Sequence, residues 1–335
     1  MPSSFTWMDY SDKDRRRAME IIDLFREEDT RDELGIGVIR DAFADHFFPG
    51  TNTIQTRVRY FLFIPWVFQS VNAEDNEDGF TKKIRNRQHQ LCEALKTGGE
   101  SLGVIGYRAG RAVQRLPSNI YWHGLQRWGV LRFAGSETDY GRCLSRQRHS
   151  GEPLRNDDGE IVSSAKRNFW DPGLPEPADG WPKRASFSLR RKEAWYLAER
   201  INRSAGGSML DWLIRHQLEP GESRFVWEHV HPEALDATQV EEIAHARNFS
   251  ESIHGAALLY NLMLAEKADW PERVVHYEEW IDGWWSHLQD RSAELRGWNR
   301  DRFWALLQER LVGRALRCRV FVDDWINAIG KFRTV

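Results

Sequence analysis

Residues Leu34–Gln69, LGIGVIRDAFADHFFPGTNTIQTRVRYFLFIPWVFQ, gather turn formers, charges and aromatics into one block without a simple core periodicity. Within it, Phe61–Phe68 is the longest apolar run of the chain and is broken by Pro65. The run is too short to span a bilayer and is read as core. Thr53–Phe68 is then either a helix kinked at Pro65 or a buried strand, because a short apolar run does not decide between them. Ahead of it, Gly35 and Gly37 mark a tight bend, Val38–Phe47 a short helix, and Pro49-Gly50 a turn at which helical continuation stops.

Upstream, residues 10–28 read as a helix, with Ser11 as N-cap and Met19, Ile22 and Phe25 at helical spacing. Downstream, an acidic loop (Glu74, Asp75, Glu77, Asp78) leads into a basic amphipathic helix over Thr81–Lys96. There Ile84, Leu91 and Leu95 face inward and Lys82, Lys83, Arg85 and Arg87 face out. Between Ser101 and Ser150, Arg108, Arg111, Arg115, Arg127, Arg132, Arg142, Arg146 and Arg148 are opposed only by Glu137 and Asp139. This is the strongest local charge asymmetry in the chain and a candidate electrostatic footprint.

From Gly151 to Pro182 the chain is rich in Gly, Pro, Asp and Asn, which predicts a long loop or interdomain connection. Helical patterns follow at Ser188–Arg203, Ser208–Gln217, Asp236–Ala268 with a break near Asn248, Pro271–Gln289, and Asn299–Ile329 with interruptions. Asp236 with Gln239 forms a capping box, Pro271 suits a first turn, and Asn299 suits an N-cap. The expected fold is mainly α. Residues 1–150 form an α-rich signature domain that leaves room for α+β, 151–185 a Pro/Gly-rich connection, and 186–335 an all-α, Trp-rich helical bundle.

The net charge of −3 gives no whole-chain case for nucleic acid, so any basic surface must be local. The three cysteines, Cys92, Cys143 and Cys318, are widely spaced and odd in number, which argues against a disulfide framework or zinc ribbon and for a reducing, cytoplasmic setting. The N-terminus lacks the apolar segment of a signal peptide, and no membrane span is expected. Sixteen tryptophans are several times ordinary usage. Most are read as core, while Trp280, Trp284, Trp285, Trp298 and Trp304 are candidates for a docking patch. The helical spacing of Trp280 and Trp284 favours core packing.

The stretch LGIGVIRDAFADHFFPGTNTIQTRVRYFLFIPW resembles the N-terminal signature of a bacterial family of unknown function. RLPSNIYWHGLQRWGVL (Arg115–Leu131) and FSESIHGAALLYNLMLAE (Phe249–Glu266) are similar to later segments of the same family, so the resemblance covers most of the chain. It implies the company of helicases and phospholipase-D-like nucleases in bacterial defence or mobile-element loci, and it assigns no chemistry to any residue.

Three constellations compete for function. The first is a phosphate-binding surface of Arg57, Arg59, Lys82, Lys83, Arg85, Arg87, Arg108, Arg111 and Arg115, with Tyr107, Tyr121, Trp122 and Trp128 as stacking surfaces for bases. In one layout, Thr81–Lys96 and Ser118–Trp128 form a helix-turn-helix-like pair, although their separation exceeds the standard motif. The alternative is a solvated basic face paired with the acidic loop. The second constellation is a metal centre from two Glu-x-x-His pairs, Glu242/His245 and Glu251/His254, which requires the helix to fold back near Asn248. The third is Asp41 and Asp45, with His46, as a divalent-metal site. Its preferred alternative is an ionic network with Arg40, Arg57 and Arg59 that locks the FFPG turn.

No P-loop, dinucleotide-binding glycine motif, His-Glu-x-x-His, nucleophile elbow or His-x-Lys signature is present. The leading expectation is a non-catalytic accessory protein of a bacterial defence or DNA-processing system. It would bind DNA or RNA without a cofactor, beside helicase or nuclease subunits encoded nearby. The alternatives are a metal-dependent hydrolase or nuclease and a protein-interaction scaffold.

Overall fold

The computed structural model describes residues 35–71, 77–149, 154–155, 161–163, 169–216, 223, 225–230, 232–310 and 318–331. The helix expected over residues 10–28 and the loop acids Glu74 and Asp75 lie outside them. The fold is mainly helical, and among the described residues sheet is confined to a two-stranded antiparallel hairpin, β1 (Leu154–Arg155) with β2 (Ile161–Ser163). Two compact units divide the chain: Met1–Phe43 with Gly221–Val335, and Ala44–Pro220. One boundary falls inside the first described helix, α1 (Ile36–Phe47), and the other between Pro220 and Gly221, so neither lies in the Pro/Gly-rich stretch.

The unit Ala44–Pro220 is built around α2 (Tyr60–Gln69), with α3 (Glu77–Thr97), α4 (Pro117–Arg127), α5 (Glu137–His149), α6 (Arg191–Ala205) and α7 (Met209–His216). The choice between helix and strand is settled as helix. Nine consecutive residues, Tyr60–Phe68, are buried, which explains the missing polar face: a helix that is apolar all round is a central one. Pro65 inside it costs about 3 kcal/mol in an isolated helix. Burying each large apolar neighbour contributes roughly 1.5–3 kcal/mol, so packing outweighs the proline.

The Phe61 ring stacks on Trp128 at 3.8 Å, and Phe68 sits in a cluster with Phe80, Trp122, Tyr140 and Trp170. The FFPG turn lies directly on α4. Trp128 Nε1 donates to Pro49 O at 2.8 Å, and a Cβ on Gly124 would stand 2.4 Å from Gly50 O. Only glycine allows that approach. The stretch read as a connection is, over its described part, a wall of this core. Trp170 and Ala185 are buried in it, and Trp66 Nε1 donates to Pro175 O at 2.7 Å. Its prolines and glycines turn the chain closely around α2 instead of carrying it through solvent.

The other unit holds α8 (Val226–His229), α9 (Ala237–Lys267), α10 (Pro271–Asp290), α11 (Ser292–Arg296), α12 (Arg300–Arg310) and α13 (Arg319–Lys331). The capping box forms as expected, with Gln239 N donating to Asp236 Oδ1 at 2.8 Å. The break expected near Asn248 does not occur, since α9 runs 31 residues and Asn248 is buried as an acceptor for Arg291 Nη2 at 3.0 Å. Gly255 lets α10 close on α9, because a Cβ there would meet the Trp284 ring at 2.1 Å. The Trp284 indole donates to Glu251 O and stacks against Trp325. Phe303, fully buried, packs among Phe43, Phe249, Trp298 and His245.

Candidate functional site

Arg57 and Arg59 go neither to Asp41 and Asp45 nor into solvent. Arg59 is buried, its Nη2 donating to Glu193 Oε1 at 2.9 Å and its Nη1 to Ser186 O at 2.7 Å. Glu193, with no exposed surface, also accepts from the backbone N–H and Nε of Arg190. Burial raises the Glu193 pKa. The hydrogen bonds from Arg190 and the Arg59 guanidinium outweigh it and hold the carboxyl below its ordinary value. Arg59 is therefore removed from the phosphate surface. A buried charge needs a counter-charge, and this one comes from 134 residues away.

Arg57 is half-buried beneath the segment 101–113. Its Nε donates to Leu102 O at 3.2 Å, and its guanidinium lies 5.6 Å from the Phe187 ring. Two neighbours tie down the same segment: Thr56 Oγ1 donates to Gly103 O at 2.7 Å, and Tyr60 OH accepts from Ile105 N at 3.0 Å. The opening block thus anchors a loop. Gly103, Gly106 and Gly110 take φ of +84°, +82° and +51°, which folds the loop into tight turns that other residues resist.

Beyond these anchors the loop surrounds an open cavity of about 550 Å³, lined by Ser101, Leu102, Val104, Gly106, Tyr107, Arg108, Ala109 and Val113. Leu102 is 77% exposed and Tyr107 44%, with Lys96 Nζ 5.4 Å from the Tyr107 ring. Arg108, Arg111 and Arg115 are exposed and have no acidic or hydrogen-bonding partner among the described residues. On α3 alongside, Lys82, Lys83, Arg85 and Arg87 are exposed. Arg85 Nη2 reaches Val113 O at 3.5 Å, and Arg87 Nη1 donates to Gln90 Oε1 at 3.1 Å. Burial, then the charges of Arg85 and Arg111, depress the pKa of His89, against a smaller upward pull from Glu93. Arg85 from the helix and Arg111 from the loop thus both act on a single imidazole, and Arg85 itself reaches the loop at Val113 O.

Three further arginines of the excess have partners within the protein. Arg132 pairs with the buried Asp171 at 2.6 Å, Arg142 lies 3.7 Å from Asp139, and Arg127 Nη1 donates to Ser204 O. The expected aromatic platforms are also corrected. Tyr121, Trp122 and Trp128 are buried and present no face to a base. Tyr121 OH accepts from the N–H groups of Thr56 and Arg57, and Trp122 Nε1 donates to Gly135 O. With these residues and Ile120, Gly124 and Leu125 packed inside, α4 is no recognition helix, and the helix-turn-helix layout falls. Of the sequence candidates for stacking, Tyr107 alone stays at the surface.

The Glu-x-x-His pairs do not converge. Both stand on the continuous α9, nine residues or roughly 13 Å apart. Glu251 is instead satisfied by Arg247, His287 and Arg291. His245 is buried, its Nδ1 accepting from Trp298 Nε1 at 2.8 Å, and His254 is exposed. Among the described residues, no three His, Cys, Asp or Glu side chains gather at metal-binding distance. Asp41 is exposed and accepts two hydrogen bonds from its neighbour Arg40, and Asp45 is exposed. The expected lock around the FFPG turn is thus made by Trp128 and two glycines, without ions.

The helical fold thus carries an anchored loop whose surface, with that of α3, is basic. The chain belongs to the family of unknown function DUF6361, whose model matches residues 2–332. No curated protein and no solved structure matches it. Among the described residues, no helix is long and apolar enough to cross a membrane.

Proposed function

We propose that the protein is a non-catalytic, nucleic-acid-associated accessory protein. It holds DNA or RNA phosphates on the face formed by Lys82, Lys83, Arg85 and Arg87 of α3, by Arg108 and Arg111 of the loop and by Arg115 just after it. The observation that carries this reading is the pair of loop arginines, Arg108 and Arg111, with Arg115 just beyond, none with a counter-charge among the described residues, the loop being anchored by the signature block. Guanidinium groups bind phosphate oxygens bidentately and stay charged at any working pH. A cytoplasmic place beside helicases or nucleases of a bacterial defence system fits such a role, and the family resemblance supports it. The test is a mobility assay with duplex DNA, single-stranded DNA and RNA across a salt series. Binding should strengthen steeply as salt falls, and no binding at low salt overturns the reading.

A specific surface supports a protein-docking role alongside it. At the turn end of the α9–α10 hairpin, Leu259, Tyr260, Met263, Val275 and Trp280 are exposed. The spacing of Trp280 and Trp284 suggests two core residues, yet only Trp284 packs inward. The same stretch exposes Glu266, Asp269, Glu272, Glu278, Glu279 and Asp282 against the bases Lys267 and Arg273, an acidic balance that disfavours nucleic acid and suits a basic protein partner. Co-purification with products of neighbouring genes should survive nuclease treatment and be lost in the Met263→Glu, Trp280→Glu variant. Retention in that variant refutes docking there.

A further inference from the structure

Three features of the loop 101–113 point to one kind of ligand. Its cavity is open and sits beside an aromatic ring whose surface is nearly half exposed. Leu102 extends an apolar shelf next to it. The phosphate-binding groups lie on the same loop, at Arg108 and Arg111, within a few residues of the ring. We propose that this loop is a binding site for single-stranded nucleic acid, with one unpaired base stacked on Tyr107 in the cavity and the flanking phosphates held by Arg108, Arg111 and Arg115.

The inference rests on the proposed nucleic-acid binding and narrows it to a class of strand. In a duplex both faces of each base are covered by neighbouring pairs, so a lone exposed tyrosine gains nothing from it. An unpaired base offers a free π-face, and every base has one, so stacking is strong and tolerant of sequence. Lys96 Nζ lies over one face of the Tyr107 ring at 5.4 Å, and its charge is shared with Glu93 at 3.0 Å. The ring is held by this contact while the residue keeps 44% of its surface exposed. The loop is also set before the ligand arrives. Thr56, Arg57 and Tyr60 fasten its base, Gly110 N donates to Gly106 O at 2.8 Å, and Arg85 reaches Val113 O. A site fixed in advance loses little freedom on binding.

The experiment is fluorescence anisotropy of the full chain with a short labelled single-stranded DNA, the RNA of the same sequence and a blunt duplex of the same length. The wild type should prefer the single strands, and the DNA and RNA arms show which sugar is favoured. Tyr107→Ala should weaken single-strand binding about 5- to 150-fold, the range for one lost stacked base, and leave duplex binding unchanged. Tyr107→Trp should retain the preference. Arg111→Ala should weaken all three ligands together. If the wild type binds duplex as tightly as single strands, or Tyr107→Ala loses both equally, the single-strand site is overturned and phosphate binding stands. If no ligand binds even at low salt, both fall.

Discussion

Replacing Glu193 with alanine strands Arg59 in the core of its unit. The Glu193 carboxylate is wholly buried and receives Arg59 Nη2, Arg190 Nε and the Arg190 backbone N–H. Without it Arg59 keeps only Ser186 as a hydrogen-bond partner, beside the Phe63 ring, and its Nε already lacks one. Breaking a buried ion pair from one side costs about 3–5 kcal/mol, a large share of the 5–15 kcal/mol typical of a domain. Replacing both sides, Arg59→Met with Glu193→Leu, should restore most of that loss, because well-packed apolar residues often substitute for a buried pair at no cost. Cys92 is buried in the same unit, so its labelling during a guanidinium titration reports that unit. The Glu193→Ala midpoint should fall by roughly 1 M. A midpoint within experimental error of wild type, or a double variant no better than the single one, would refute the buried pair. The pH dependence has a definite sign. Because the folded pKa is depressed, the stabilisation is complete above the ordinary value near 4.5 and is lost as pH falls through the folded value.

Gly255→Ala gains about 1 kcal/mol in helix propensity, yet its Cβ meets the Trp284 ring at 2.1 Å. Overpacking of roughly 1–3 kcal/mol should prevail, read as earlier labelling of Cys318, which is buried in that unit. His245 is held neutral: burial lowers its pKa, Arg302 adds to that, and Glu241 and Glu242 oppose it. The unfolded chain therefore takes up the proton first, and protection of Cys318 should weaken as pH falls through 6.5. His245→Gln, which keeps an acceptor for Trp298, should remove that component, and an unchanged pH profile would argue against it. Arg111→Ala should reduce the slope of log K against log salt by about 1, and an unaltered slope would remove Arg111 from the phosphate contacts.

What could be read in advance was whatever local chemistry controls. Asp236, Gln239, Pro271 and Asn299 fix helix starts within a turn of themselves, and Asn299 Oδ1 does accept from Arg302 N at 3.0 Å. The faces of α3 follow the same local rule, with Ile84, Leu91 and Leu95 buried and Lys82, Lys83, Arg85 and Arg87 exposed. What failed depends on partners distant in sequence. Arg59 looks the same from its neighbours whether it meets Glu193 or a phosphate. Asn248 resembles a helix breaker until Arg291, 43 residues on, occupies its side chain. Tyr121 and Trp122 resemble stacking platforms because exposure is set by α2, which lies on another segment. Tyr107 was recognisable as a candidate, but the positive φ angles of Gly103, Gly106 and Gly110 that present it were not.

The anchoring of the loop by Thr56, Arg57 and Tyr60 bears on how mutational screens of this protein should be interpreted. A substitution such as Tyr60→Phe touches no ligand and keeps the ring in the core, yet it cuts the bond to Ile105 N and so frees one end of the cavity wall. Loss-of-function positions should therefore form two chemically unlike sets: surface arginines, and loop anchors such as the buried Tyr60 hydroxyl. The second set would ordinarily be dismissed as folding defects. Variants that keep full thermal stability and lose only binding would show that the anchors act by shaping the surface.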